Sequence, residues 1–128
     1  MNLVTPLNRV LGLGTARGAA EHWWAQRLTS VALLLLGLWF AIELMLLPDF
    51  SYAAVFAWVH RPYSSVMLIL FVVATAYHSY LGVQVVIEDY VPGNGLKVLT
   101  IMGSAFAHAS LTIAAVFAIL KVAFGPAA

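Results

Sequence analysis

His78, Gly82, Asp89 and Tyr90 stand on one stripe of a long apolar run. The eleven residues from His78 to Asp89 make about three helical turns, so the two point the same way, roughly 16 Å apart along the axis. An imidazole can bind a metal ion through a ring nitrogen. Gly82, one turn on, removes a side chain where something flat could approach closely. Asp89 and Tyr90 set a proton-holding carboxylate beside a phenol able to donate to a carbonyl oxygen. The stripe predicts a redox cofactor beneath a small-molecule site.

The elements that must position these groups are membrane helices. The chain has 128 residues, 63% hydrophobic and 9% charged, with a mean hydropathy of +0.97. A soluble domain carries about 25% charged residues. The absence of cysteine excludes protein-held iron–sulfur clusters, disulfides and thiol catalysis within this chain. A net charge near +1 argues against nucleic acid as a partner.

Three apolar stretches, about 28–47, 64–87 and 98–124, each meet the roughly 20-residue requirement for a bilayer helix. The expected architecture is all-α: one membrane-anchor domain over 1–128, a three-helix transmembrane bundle preceded by a cytoplasmic or interfacial segment over about residues 1–20. Arg9, Arg17, Arg27 and Lys97 fall on one side of the membrane, Arg61 and Lys121 on the other. The positive-inside rule then puts the N-terminus in the cytoplasm, the C-terminus in the periplasm and Asp89 on the cytoplasmic side. The first span is longer and later than a signal core, and no Arg- and Ser-rich transit segment is visible, so a bacterial inner membrane is expected.

Along the chain, the Gly12–Gly18 run follows no strand and lacks nucleotide-loop spacing. His22, Trp23 and Trp24 fall just before the first span, at interfacial depth. Phe50–His60 is apolar but too short to span, and reads as an interfacial helix on the outer face. Pro92–Gly95 makes the tight inner turn.

Two histidines lie at membrane depth, His78 and His108, about ten residues from the cytoplasmic ends of their helices. A neutral imidazole there either hydrogen-bonds a neighbouring helix or ligates haem iron. Ser104 and Thr112 beside His108 suit packing, whereas Gly82 favours His78 as the ligand. Glu43 lies near the outer end of the first helix, within reach of the headgroups. Arg27 is the last charge before the first span, either a snorkelling anchor or a partner for an anion such as a haem propionate or Asp89. The Asp89–Tyr90 pair is either a solvated helix end or the proton-active mouth of a quinone site.

Two motifs are specific. The pattern His78-x3-Gly82 followed by Val86-Ile-Glu-Asp89-Tyr90-Val91, with His22-Trp-Trp-Ala-Gln-Arg27-Leu-Thr-Ser30, resembles the small hydrophobic membrane anchor of succinate dehydrogenase (respiratory complex II). The resemblance covers nearly the whole chain. It implies a membrane anchor subunit of succinate:ubiquinone oxidoreductase, with no catalytic residue for succinate in this chain alone. Its implied partners are a second hydrophobic anchor, an iron–sulfur subunit, a flavoprotein subunit and membrane lipid, with FAD and the clusters confined to the partners. A b-type haem shared with the sister anchor would take His78 as one axial ligand to its iron. Tyr90 and Asp89 would meet ubiquinone, the substrate, and Arg27 the haem propionates and quinone pocket. Glu88 stands where many relatives have a neutral residue, and His22 and His108 receive no role from the resemblance. Two alternatives stay open on the residues alone: a haem b subunit of another quinone-linked dehydrogenase using His78 and His108, or a non-redox membrane scaffold.

Overall fold

A computed structural model describes residues 16–126, with side-chain surroundings from Ala20 onward, and is helical throughout its regular elements. The helices are α1 (Ala16–Leu46), α2 (Tyr52–His60), α3 (Pro62–Tyr90) and α4 (Asn94–Ala123). Three of them, α1, α3 and α4, are long and apolar enough to cross a membrane. Lipid offers no hydrogen bonds, so an apolar span must satisfy its own backbone, and the helix does this within the segment. Hydroxyls follow the same logic: Thr29, Thr75, Thr100 and Thr112 each donate to a carbonyl four residues earlier on their own helix.

The helices outrun the apolar stretches that predict them. At 1.5 Å per residue each is about 44–47 Å long, beyond the roughly 30 Å hydrocarbon core. The largest extension is at the start of α1, which is already helical at Ala16, so His22–Arg27 lies inside the helix rather than ahead of it. The interfacial segment expected over residues 1–20 lies mostly outside the described residues. Asp89 and Tyr90 likewise belong to the last turn of α3. Gly93, at φ 80°, makes the turn into α4, a conformation open to glycine at no steric cost. Asn94 and Gly95 belong to the first turn of α4.

α3 is the middle of an open bundle. It packs antiparallel against α1 on one side and α4 on the other, while α1 and α4 make no close backbone approach among the described residues. One central helix gives a thin core, and Leu68, Leu81 and Ile87 of α3 are its buried apolar residues together with Trp58 of α2. Leu34, Met45, Phe106 and Phe117 are among many large apolar side chains facing outward, as a membrane environment requires.

The short helix α2 locks the opposite end from the Gly93 turn. Ser51 caps it, its hydroxyl accepting from the Ala54 amide. Hydrogen bonding from the Ser51 hydroxyl, then from its backbone N–H, holds the Asp49 carboxyl below its ordinary range. Arg61 ends α2 and starts α3, with Pro62 in the first turn where its missing N–H costs nothing. Trp58 is 5% exposed, and its indole N–H donates to Glu43 Oε2 at 2.9 Å. The Trp58 ring stacks on Trp39 at 6.4 Å and lies 6.1 Å from Phe40. Glu43, expected among the headgroups, is therefore tied to the short helix. His60 Nδ1 lies 2.9 Å from the Val122 carbonyl, which joins α2 to the end of α4.

Candidate functional site

At the Gly93 end, α1 and α3 meet across a polar seam. His22, Gln26 and Thr29 recur at helical spacing on one face of α1, and that face meets His78 and Gly82 of α3. Thr29 Oγ1 lies 2.9 Å from His78 Nδ1. Gln26 Nε2 lies 3.3 Å from His78 Nε2. His78 is thus half-buried and held by two side chains of a neighbouring helix. Neither Gln26 nor Thr29 stands out in the sequence beyond membership of the His22–Ser30 motif. The signal available is the polar i, i+4, i+7 stripe on a helix that is otherwise apolar.

Next to this contact opens a cavity of about 760 Å³, walled by His22, Trp23 and Gln26 from α1 and by Gly82, Val85 and Glu88 from α3. A Cβ on Gly82 would stand 3.8 Å from Gln26 Nε2. That is ordinary contact distance, so the glycine leaves space between the helices rather than permitting a clashing approach. Two polar atoms on the α1 wall, His22 Nε2 and Gln26 Oε1, are buried without a hydrogen-bond partner. Buried polar atoms of this kind are uncommon and call for a partner. His78 itself sits behind the Gln26 amide.

The other expected site residues are more open. Tyr90 is 81% exposed and Asp89 is exposed beside it, so the phenol and carboxylate are free to meet a ligand at the end of α3. Arg27 places its guanidinium 5.4 Å from the centre of the Trp23 ring, a cation–π contact, and no bond among the described residues joins it to Asp89. Glu88 accepts a hydrogen bond from Gln84 Nε2 at 2.8 Å, and Lys97 Nζ donates to its backbone carbonyl at 2.6 Å. The lysine thereby meets one of the unsatisfied carbonyls that end a helix.

His108 is held differently. Its Nδ1 lies 2.8 Å from the Ser104 carbonyl of its own helix, and its Nε2 lies 3.2 Å from Ser79 Oγ of α3. The Tyr80 ring meets it edge-on at 5.8 Å. A carbonyl can only accept, so Nδ1 carries the hydrogen and Nε2 accepts from Ser79. Both ring nitrogens are then bonded, Nδ1 within α4 and Nε2 across to α3. The two hollows beside it, of about 490 and 360 Å³, are almost wholly apolar. Among the described residues no three His, Asp or Glu side chains converge, so a metal held by this chain would take further ligands from elsewhere.

Comparison with known proteins gives a consistent answer. Residues 1–123 match the family model of the succinate dehydrogenase/fumarate reductase transmembrane subunit. The succinate dehydrogenase hydrophobic membrane anchor subunit of Paracoccus denitrificans is 30% identical over 125 residues, covering 98% of this chain and 96% of the relative. The subunit of the same name from Rickettsia bellii is 36% identical over 85 residues, 66% of this chain and 67% of the relative. That from Rickettsia conorii is 32% identical over 85 residues, 66% of this chain and 68% of the relative. No solved structure matches the chain at a significant level.

Proposed function

Because this chain belongs to the succinate dehydrogenase/fumarate reductase transmembrane subunits, we propose that it anchors a succinate:ubiquinone oxidoreductase and contributes half of a haem site and part of a quinone site. The observation that carries this reading is His78: an imidazole inside an apolar helix, contacted by α1 at both nitrogens, behind the Gln26 side chain that with Gly82 walls a cavity.

The residues present fit a b-type haem. His78 offers a neutral nitrogen donor, the usual axial ligand, and the absent side chain at Gly82 leaves room beside it for a planar group. The cavity, about 760 Å³, has the size of a cofactor site. The second axial ligand would come from a sister anchor chain. The Arg27 guanidinium lies on the same end of α1, free to leave Trp23 for a propionate. A bound haem would supply one-electron storage close to the quinone.

Reduction of a quinone to a quinol takes two electrons and two protons. The electrons would come from the iron–sulfur subunit, since this chain has no cysteine to hold a cluster. Negative charge grows on the quinone oxygen as electrons arrive, and the Tyr90 hydroxyl donates a hydrogen bond where that charge appears. Asp89, beside it and open to water, accepts protons from the aqueous phase and orders their delivery. Glu88, one residue earlier, adds a second carboxylate at the same mouth. The charge count over the loops supports a mouth on the cytoplasmic side of a bacterial inner membrane, where soluble partner subunits dock. Between the two membrane histidines the reading favours His78, because its helix carries the Gly82 gap one turn on, whereas His108 bonds the Ser104 carbonyl and Ser79.

The test is Tyr90→Phe in the whole complex. Ubiquinone reduction should fall roughly tenfold or more, the cost of losing one donor to developing charge. Succinate oxidation with an artificial dye acceptor should stay within about a factor of two, because it does not use the phenol. Equal loss in both assays would remove Tyr90 from the quinone site.

A further inference from the structure

Thr29 carries no chemical signal of its own in the sequence, yet it makes the shorter of the two contacts to His78. Its hydroxyl has one hydrogen to give. Two carbonyls of its own helix compete for it, Ala25 O at 2.8 Å and Gln26 O at 3.1 Å, and a carbonyl can only accept. The third neighbour is His78 Nδ1, at 2.9 Å. With that hydrogen given to a carbonyl, the hydroxyl offers Nδ1 a lone pair, which matches a His78 that carries its own hydrogen on Nδ1. In a neutral imidazole that leaves the lone pair on Nε2.

The opposite side of the ring agrees. The group facing Nε2 is the Gln26 amide nitrogen at 3.3 Å, a donor turned toward a lone pair. With the amide reversed, its oxygen would oppose that lone pair. Gln26 Oε1 is instead buried without a partner, as is His22 Nε2. The two contacts, made by different residues one turn apart, are both satisfied by the same tautomer, whose lone pair faces Gln26, a residue that walls the cavity. A contact of 3.3 Å from a flexible amide is also easily given up, whereas the Thr29 contact is short and anchored by its own helix.

We propose that Thr29 is a positioning residue that selects Nε2 of His78 as the iron-binding nitrogen and holds the imidazole plane between α1 and α3. Metal-bound histidines commonly donate their other N–H to a fixed acceptor, which sets orientation and raises donor strength. Here the acceptor is a neutral hydroxyl, so the ring gains donor strength without becoming an imidazolate. Stronger donation favours oxidised iron. Removing the acceptor therefore raises the haem midpoint potential, loosens the ring and speeds haem release. The inference rests on His78 being the haem ligand.

The experiment compares Thr29→Val, which keeps the shape and removes the acceptor, with Thr29→Ser, which keeps the acceptor, in the assembled complex. Redox titration of the haem, its low-spin electron paramagnetic resonance and its transfer to apomyoglobin are measured. Thr29→Val should move the midpoint upward, broaden the low-spin signal and release haem about tenfold faster, while Thr29→Ser stays near wild type. An unchanged midpoint and signal in Thr29→Val would overturn the proposal, and so would identical shifts in Thr29→Val and Thr29→Ser. Should Thr29→Val fail to assemble, Thr29→Cys, similar in size with a weaker acceptor, should shift the midpoint the same way by less; no shift there also overturns it. Haem retained in full by His78→Ala would instead defeat the ligand assignment itself.

Discussion

The two seams of α3 each contain one histidine at membrane depth, and they treat it in opposite ways. On the α4 side, His108 spends Nδ1 on the Ser104 carbonyl and Nε2 on the Ser79 hydroxyl. On the α1 side, His78 is fixed at Nδ1 by Thr29, while Nε2 meets a 3.3 Å contact from the flexible amide of Gln26, a residue that walls a cavity. An imidazole in lipid must have both nitrogens satisfied or given a use. His108 is satisfied by its own bundle and acts as a rivet. His78 keeps a lone pair on an exchangeable contact, which is what a ligand needs. Residue type and depth are shared; the difference lies in what the neighbouring helix offers.

The largest effect expected from breaking this contrast is at His78 itself. His78→Ala should abolish the low-spin haem spectrum of the purified complex, lowering haem affinity more than about a hundredfold, because outer partners alone commonly contribute roughly 10–100-fold. A complex that loses its haem with His108→Ala but keeps it with His78→Ala would reverse the assignment of the two seams.

A smaller effect is expected at the notch. Gly82→Leu adds a branched side chain toward Gln26 and the cavity, where a bare Cβ would already touch the amide at 3.8 Å. Overfilling costs about 1–3 kcal/mol, which corresponds to roughly a five- to hundredfold weaker haem site. The matched control is Gly103→Leu in α4, where a Cβ would meet nothing within 4 Å of the rest of the chain. Haem-to-protein ratios measured side by side should fall for Gly82→Leu more than for Gly103→Leu. Equal ratios would mean that Gly82 is not a wall of the site.

Much of this arrangement is legible in the residues alone. A bilayer demands about twenty apolar residues per span and punishes ionisable groups within it, so the helices, the short α2 and the two odd histidines all stand out in sequence. The i, i+4 step from His78 to Gly82 is local and survives into the structure unchanged. Thr29 and Gln26 are not legible as partners of His78, because they lie 49 and 52 positions away and no periodicity within α3 reports which face of α1 it meets. The start of α1 escapes hydropathy for a related reason. Hydropathy marks where lipid begins, whereas the helix is set by backbone bonding and continues through His22–Arg27 into polar surroundings. Position along α1 points Glu43 toward the headgroups because its actual partner, the Trp58 indole, comes from a separate element.

The smallest effect belongs to His108, and its smallness is the point. In His108→Ala, Ser79 loses an acceptor but can turn its hydroxyl to the carbonyl of Thr75 on its own helix, as serine commonly does in membrane helices. The Ser104 carbonyl keeps the backbone bond expected of a helix interior. What remains is one lost interhelical hydrogen bond and the edge-on contact with Tyr80. Interhelical hydrogen bonds in membranes are worth about 0.6 kcal/mol on average, and up to about 2, so the cost should be near 1 kcal/mol. The complex should inactivate at a slightly lower temperature, with haem spectrum and midpoint potential unchanged. A shifted spectrum in His108→Ala would show that the rivet seam reaches the cofactor, and the contrast between the two histidines would no longer hold.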